Sequence, residues 1–342
     1  MENKGRDLLI GIDLGTSRTS IMTDRSLKTM IDSVVGYPKD LIGVKLLGAT
    51  HVVGSEALER HYLNHYFPLE DGVIKETGDR DQEVAKELIR HVVSLADPQP
   101  GDRVCGIVGV PARASAFNKE VLLELAREVM DVAMVISEPF MVAYGQDVLL
   151  NSIVIDIGAG TVDLCALKGQ VPDEEDQVTL LKAGNFVDDL LMESIQMRYP
   201  NVQINKRIAR AIKEQHAFVG STSDKVMVTM RENGKPVTVD VTEELELACN
   251  AIVPDIVEQI KHLVAGFDPE DQETVLNNII LAGGGSRIAN LGTVIRDALT
   301  EYGTVSVSNV DDPDYAGCLG GLKLASDLPP DYWDHVGEMV TS

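Results

Sequence analysis

Two stretches of the chain repeat one pattern. Leu8-Leu9-Ile10-Gly11-Ile12-Asp13-Leu14-Gly15-Thr16 is a run of branched apolar residues closing on Asp-x-Gly-Thr, and a second strand-like run follows through Ile21 and Met22. Ile153-Val154-Ile155-Asp156-Ile157-Gly158-Ala159-Gly160-Thr161 does the same and continues as Val162-Asp163-Leu164-Cys165-Ala166-Leu167. From Asp13 to Asp156 is a separation of 143 residues, far beyond any solenoid period, so the pattern predicts two related domains facing one another.

Between the repeats, Val104–Val110 reads as a buried strand that stops at Pro111. Residues 115–130 carry apolar positions at helical spacing behind a Ser115 N-cap. Ala133–Ile136 is a short strand, and Ser137-Glu138-Pro139-Phe140 opens another helix with proline in its first turn. Strands alternating with helices in this way predict α/β lobes with buried central sheets. Gly36, Pro38, Gly43, Gly48, Gly54 and Pro68 break the pattern over about 32–70, which reads as a small insertion on the first lobe. A matching irregular stretch over about 206–251 holds a helix near 206–219 and a hairpin, 226–230 and 236–239, turned by Asn233-Gly234. The tail from Asp327 has no clear period and is expected to pack on the first lobe or fray.

Composition narrows the function. With 342 residues, two lobes are expected. The 54 acidic residues against 30 basic ones give a charge of −24, which repels phosphate backbones and argues against direct nucleic-acid binding. Aromatic residues are only 4%, too few for a base-stacking platform. No run of 18 apolar residues occurs and Met1–Asp7 is polar, so a cytoplasmic chain without direct membrane insertion is expected. Cys105, Cys165, Cys249 and Cys318 are widely spaced and read as small buried hydrophobes. The histidines, with His61 and His65 the nearest case, do not reach metal spacing with a carboxylate.

Four elements carry the chemistry. In Asp13-Leu14-Gly15-Thr16-Ser17 and Asp156-Ile157-Gly158-Ala159-Gly160-Thr161, glycine permits a tight turn whose backbone N–H groups approach phosphate, and the hydroxyl adds a donor. Each alone is also compatible with an ordinary Asp-Gly turn. As a pair on matching strands they are suited to grip β- and γ-phosphates from two sides, with Asp13 and Asp156 holding Mg²⁺ through water. In Ala282-Gly283-Gly284-Gly285-Ser286-Arg287-Ile288, a strand runs into a triple-glycine turn that can pack against a base, with Arg287 stacking over it. Glu138, at a helix start after a buried strand, can orient or deprotonate a water, or simply favour the helix dipole. Lys213 and Glu214 read, by themselves, as a solvated charge pair. Neither GxxxxGK[ST], a strand-GxGxxG nor GxSxG is present, so P-loop, Rossmann and serine-hydrolase sites are not offered.

With Asp-Leu-Gly-Thr, Glu138-Pro139, Asp156-Ile-Gly-Ala-Gly-Thr, Ala282-Gly-Gly-Gly and Gly320-Gly321 in this order, the chain resembles the actin, Hsp70 and sugar-kinase superfamily over nearly its whole length. Val35–Asp40, Pro68–Val73, Gly109–Ser115, Ser137–Phe140 and Asp176–Leu180 look like the bacterial actin-like filament proteins of magnetotactic bacteria. That resemblance implies an actin-like α/β fold of two lobes, each with a large subdomain and a small inserted one, and a nucleotide in the interlobe cleft. The subdomains would be 1–31, 70–149 and 319–342; 32–69; 150–205 and 252–318; and 206–251. It implies a cytoplasmic ATPase that binds ATP or ADP with Mg²⁺ and polymerises with itself. The filament would lie along the magnetosome chain, organise it and meet magnetosome-associated adaptor proteins. Glu138 and Asp156 would be needed for hydrolysis. Asp13, Gly15, Thr16, Ser17, Gly158, Ala159, Gly160, Thr161, Gly284, Gly285, Arg287 and Ile288 would contact nucleotide. Lys213 and Glu214 would reach its ribose and base, reversing the bland reading of that pair. Ala159 stands where many relatives carry Gly or Asp, a small change that leaves backbone contacts open.

Other readings within this superfamily are a filament for plasmid segregation or cell shape, a small-molecule kinase, and an Hsp70-like chaperone. A chaperone would be expected to need a further peptide-binding domain, for which the stretch after Gly321 leaves no room. A kinase would need a specialised substrate pocket that the insertions do not suggest. The charge of −24 bears on assembly directly, since subunits this acidic repel one another as they stack. Salt screens that repulsion over about 8 Å at physiological strength. Light scattering should therefore rise steeply with added salt or divalent cation; assembly independent of both contradicts the expectation.

Overall fold

The structure, a computed structural model, describes residues 7–75, 79–329 and 331–334. The polar start at 1–6 and the tail beyond Asp334 lie outside the described residues. The chain forms two compact units, Met1–Leu149 with Asp312–Ser342, and Leu150–Asp311. The first begins with β1 (Asp7–Leu14), β2 (Arg18–Thr23), β3 (Lys28–Asp32), β4 (Val35–Pro38), α1 (Leu41–Leu47), β5 (Val52–Val53), α2 (Ser55–Glu59) and β6 (Leu63–Tyr66). A short pair, β7 (Leu69–Glu70) and β8 (Val73–Ile74), leads to α3 (Asp79–Ser94), β9 (Arg103–Val110), α4 (Ala116–Arg127), β10 (Val132–Ser137) and α5 (Glu138–Gly145). The second unit begins β11 (Leu150–Ile157), β12 (Val162–Lys168), β13 (Gln177–Leu180), α6 (Gly184–Arg198), β14 (Val202–Gln203), α7 (Lys206–His216), β15 (Met227–Glu232) and β16 (Lys235–Asp240). It continues as α8 (Thr242–Asn250), α9 (Val253–Ala265), α10 (Gln272–Leu276), β17 (Ile279–Ala282), α11 (Leu291–Ala298) and β18 (Val307–Asn309). The chain then returns to the first unit as α12 (Ala316–Asp327).

The repeat legible in two strand-turns extends to whole sheets. The first unit orders its main sheet β10-β9-β1-β2-β3 and the second β13-β12-β11-β17-β18. In each, the Asp-bearing strand pairs antiparallel with the strand after its turn and parallel with a later strand. The central strands are apolar on both faces because helices cover both. Leu8, Ile10, Ile12 and Ile107 are buried in one unit, and Ile153, Ile155, Ile157 and Leu281 in the other. Ser115 caps α4 by accepting from Asn118 N, and Asn233 and Gly234, both at positive φ, turn β15 into β16 with Glu232 opposite Lys235. The helix expected over 206–219 stops at His216, because Phe218 leaves it to pair with Ala289.

Within the first unit α12 lies unusually close to its neighbours. A Cβ on Gly320 would fall 1.7 Å from Met141 O in α5, and one on Gly11 in β1 would fall 2.1 Å from Cys318 O. Four buried thiols confirm the small-hydrophobe reading of the cysteines. Desolvation pushes Cys105 and Cys249 up to about 11, Cys318 to about 12, and Cys165 upward too. Past α12, Trp333 is 2% exposed and packs with Cys105, Ile107, Val132, Met141 and Ala325. Its Nε1 donates to Ala325 O, and Arg103 holds both the Trp333 carbonyl at 2.6 Å and Asp334 at 2.5 Å. The tail therefore packs on this unit through Asp334. Trp333→Ala should cost about 3–5 kcal/mol in urea denaturation followed by circular dichroism; a loss below about 0.5 kcal/mol contradicts its core role.

Candidate functional site

In the first unit the predicted residues gather where parallel strands end. Asp13 of β1 stands opposite Gly109 of β9, and Gly109 opposite Ile136 of β10, so Glu138 opens α5 at that same edge. Glu138 is 8% exposed, and a Cβ on Gly109 would approach its Cγ to 2.9 Å. The missing side chain at Gly109 makes the space that the carboxylate's stem fills. Asp13 is half-buried, and a Cβ on Gly317 of α12 would lie 2.6 Å from its Oδ2.

The turn after Asp13 is tightly tied. Ser33 Oγ donates to Gly15 O at 2.6 Å, Ser33 N donates to Ser17 O at 2.9 Å, and Thr19 Oγ1 meets Ser33 Oγ at 2.9 Å. Gly15 tolerates no side chain, since a Cβ would sit 2.5 Å from Arg18 O. Thr16 Oγ1 accepts from Gly72 N at 2.8 Å, a bond that fixes the hydroxyl while leaving its proton to be donated elsewhere.

The second unit assembles its residues through four connections. Gly158 N donates to Thr161 O at 2.9 Å, closing the turn, so Gly158 shapes the loop and its N–H is already committed. Ala159 O accepts from Asn185 N at 2.7 Å and Gly158 O from Gly184 N at 3.1 Å, docking the loop on the start of α6. Asp156 is opposite Ala282, and the next residue, Gly283 at φ +72°, crosses so close that a Cβ would be 2.2 Å from Asp156 Oδ1. Finally, Val219 N donates to Ala289 O and Ala289 N to Ala217 O, which ties the end of α7 to the chain just after Arg287.

Lys213 overturns the solvated-pair reading. Its side chain is 14% exposed, and its ammonium forms an ion pair with Asp188 Oδ1 and donates to Gly184 O, each at 2.7 Å. Burial pushes its pKa down against the pull of Asp188. Asp188, fully buried in α6, also takes Arg210 Nε at 3.2 Å, and Arg210 reaches Asn185 Oδ1 at 2.9 Å. Glu214 is exposed beside it.

The triple glycine forms a 3₁₀ turn, Gly284–Arg287, rather than a helix start, and α11 begins only at Leu291. Ser286 bonds back to Gly283 O, and Asn309 Nδ2 donates to Ser286 O. Gly284 and Arg287 are exposed, whereas Ile288 is buried in the second unit's core. Gly285 packs on Ile157.

Sequence reasoning named Gly284 and Gly285 but missed Gly283, the one that meets Asp156; its position directly after the strand was the available signal. It also missed Asp188, which is distant in sequence from Lys213, and Arg210, which shares that carboxylate with Lys213. Asp163, opposite Asp156 on β12, is buried and accepts from Thr179 Oγ1 at 2.6 Å. Among the described residues no group of three or more His, Cys, Asp or Glu is placed to hold a metal. No helix among the described residues is long and apolar enough to cross a membrane.

A model of the MreB/Mbl protein family matches residues 7–329. The chain belongs to the MreB/Mbl family. This MreB/Mbl protein is 54% identical to the actin-like protein MamK of Paramagnetospirillum magneticum over 336 residues, 98% of this chain and 97% of that one. A solved MamK double helical filament matches it with a TM-score of 0.93 at 53% identity, covering 95% of this chain and 100% of that one. A non-polymerising MamK mutant bound to AMPPNP matches with a TM-score of 0.74 at 53% identity, over 94% of this chain and 100% of that one. The fold is actin-like. In this MreB/Mbl protein the Asp188–Lys213 pair is the bond most worth breaking. Asp188→Ala strands a largely buried ammonium and should lower stability by about 3 kcal/mol or more in urea denaturation; an unchanged midpoint contradicts the pair's structural role.

Proposed function

We propose that this chain is a filament-forming ATPase whose assembly is driven by Mg·ATP and whose disassembly follows hydrolysis. The observation that carries the reading is the matched pair of strand-turns, each setting an aspartate against a glycine with no room for a side chain. Support comes from relatives 53% identical that were solved as a double helical filament and with AMPPNP bound.

Backbone N–H groups of Gly15, Thr16 and Ser17, and of Ala159, Gly160 and Thr161, would donate to the phosphate oxygens. Gly158 and Gly283 would keep those turns in shape. Asp13 and Asp156 would hold the Mg²⁺ through water, and that ion supplies neutralisation of the charge on the β- and γ-phosphates. Lys213 is held by its ion pair with Asp188 and its hydrogen bond to Gly184 O; a remaining N–H would serve the ribose. Glu214 and the Gly284–Arg287 turn would border the base, while Ile288 would support it from the core. Glu138 would accept a proton from the water whose oxygen bonds the γ-phosphorus as the bond to the bridging oxygen breaks, releasing ADP and phosphate. Filament growth needs a heterologous, non-closing contact. The cellular role that follows from the resemblance is a cytoplasmic filament that organises magnetosomes through adaptor proteins.

Glu138→Ala should lose phosphate release by about 100-fold or more while still pelleting with Mg·ATP. Hydrolysis at the wild-type rate would remove Glu138 from the mechanism, and wild-type protein that stays in the supernatant with Mg·ATP would remove the filament reading.

A further inference from the structure

Acids outnumber bases in this chain by 54 to 30, and one pocket in the second unit reverses that balance. It is an open hollow of about 500 Å³ between the stretch from Ser286 to Arg296, which includes most of α11, and the stretch from Val305 to Asn309. Arg287 and Arg296 both line it, and no Asp or Glu does. Its apolar lining is part of the unit's core, where Ile288, Leu291 and Val305 are buried. Ser286, 2% exposed, joins the two stretches. Its Oγ donates to Gly283 O at 2.8 Å, and its carbonyl accepts from Asn309 Nδ2 at 2.8 Å, which ties the triple-glycine turn to β18.

None of the lining comes from α6, α7 or the Gly158–Thr161 turn. The triple-glycine turn presses on Asp156 and Ile157 through Gly283 and Gly285, and gives Ser286 and Arg287 to the pocket. Arg296 binds Asp297 Oδ1 through Nε at 3.0 Å and Nη2 at 2.9 Å, which uses one edge of its guanidinium and leaves Nη1 on the other. Asp297 offsets one positive charge, and the second keeps the lining cationic in a chain of −24. Guanidinium forks match phosphate oxygens bidentately. The hydroxyls of Thr293 and Ser306, both exposed, add donors. The volume has room for more than one tetrahedral anion, and no aromatic residue lines it to stack a base. We propose that this pocket is a binding site for a small inorganic polyphosphate, of which pyrophosphate is the simplest. Arg287 and Arg296 each take a phosphoryl group, and Thr293 and Ser306 donate to the remaining oxygens. The site stands beside the proposed nucleotide site, with the Gly284–Arg287 turn as their shared wall, and uses none of Asp13, Asp156 or Lys213.

Calorimetric titration of the full chain with pyrophosphate at fixed free Mg²⁺, with and without saturating AMPPNP, tests the site. With AMPPNP present, one pyrophosphate should bind per chain with a Kd of about 100 μM or tighter. Arg296→Gln should weaken it about tenfold or more, the loss of charge-assisted hydrogen bonds, and leave AMPPNP affinity unchanged. Thr293→Glu sets a carboxylate in the pocket and in the first turn of α11, where the helix dipole favours it, so the chain should melt as wild type does while pyrophosphate binding is abolished. Lys235→Gln, at an exposed base on β16, removes the same charge elsewhere in the unit and should bind as wild type. Absence of saturable pyrophosphate binding, unimpaired Arg296→Gln, or equal weakening by Lys235→Gln overturns the proposal. Pyrophosphate that binds only without AMPPNP occupies the nucleotide site and overturns it too, and a second AMPPNP per chain that Arg296→Gln abolishes assigns the pocket to a nucleotide's phosphates instead. Failure of AMPPNP itself to bind removes the nucleotide reading alone.

Discussion

Each half of the molecule sets one aspartate against a glycine that cannot become anything larger. Gly317 leaves 2.6 Å between a hypothetical Cβ and Asp13 Oδ2, and Gly283 leaves 2.2 Å to Asp156 Oδ1. Interiors this dense do not absorb an added methyl without moving what it touches. Each carboxylate therefore sits against backbone that leaves no room for a larger residue. In the first unit the same close approach extends along α12, which rides on β1 at Gly11 and on α5 at Gly320. The helix that starts at Glu138 and the strand that carries Asp13 are thus spaced by one third element. In the second unit Gly283 and Gly285 press on Asp156 and Ile157, and the loop at Gly158–Ala159 leans on α6.

Around that frame, polar connections set what a nucleotide would meet. Lys213 is anchored to Asp188 and the Gly184 carbonyl, and α7 is joined to the triple-glycine region through Ala217, Val219 and Ala289. The Gly158–Thr161 turn, the Lys213 ammonium and the Gly284–Arg287 turn of the second unit are therefore one connected body. Membership of the MreB/Mbl family and the likeness to MamK structures are what this frame leads one to expect.

The strands around Asp13 and Asp156 were legible because burial on both faces leaves a continuous apolar run, and the hairpin at Asn233-Gly234 because its turn demands positive φ. Ser115 as a cap and the cysteines as core were legible for similarly local reasons. What the sequence hid was long-range or shape-dependent. Asp188 and Lys213 are far apart along the chain, so nothing local marks a buried pair, and Lys213 alone looks like any surface lysine on an amphipathic helix. Three consecutive glycines look alike as letters, yet only packing against Asp156 singles out Gly283. The end of α7 depended on a bridge to Ala289 that no helix signal announces. Leu41–Leu47 carries the composition of a core segment, and only the glycine contact at Gly43 reveals that its side chains face outward.

The account stands on the two aspartate turns acting on a triphosphate. Calorimetric titration of the wild-type chain with AMPPNP, and separately with adenosine, in the presence of Mg²⁺ tests this most directly. One AMPPNP should bind per chain, at least 100-fold more tightly than adenosine and more weakly once Mg²⁺ is chelated. Adenosine binding as tightly as AMPPNP, or no saturable binding of either, would contradict it.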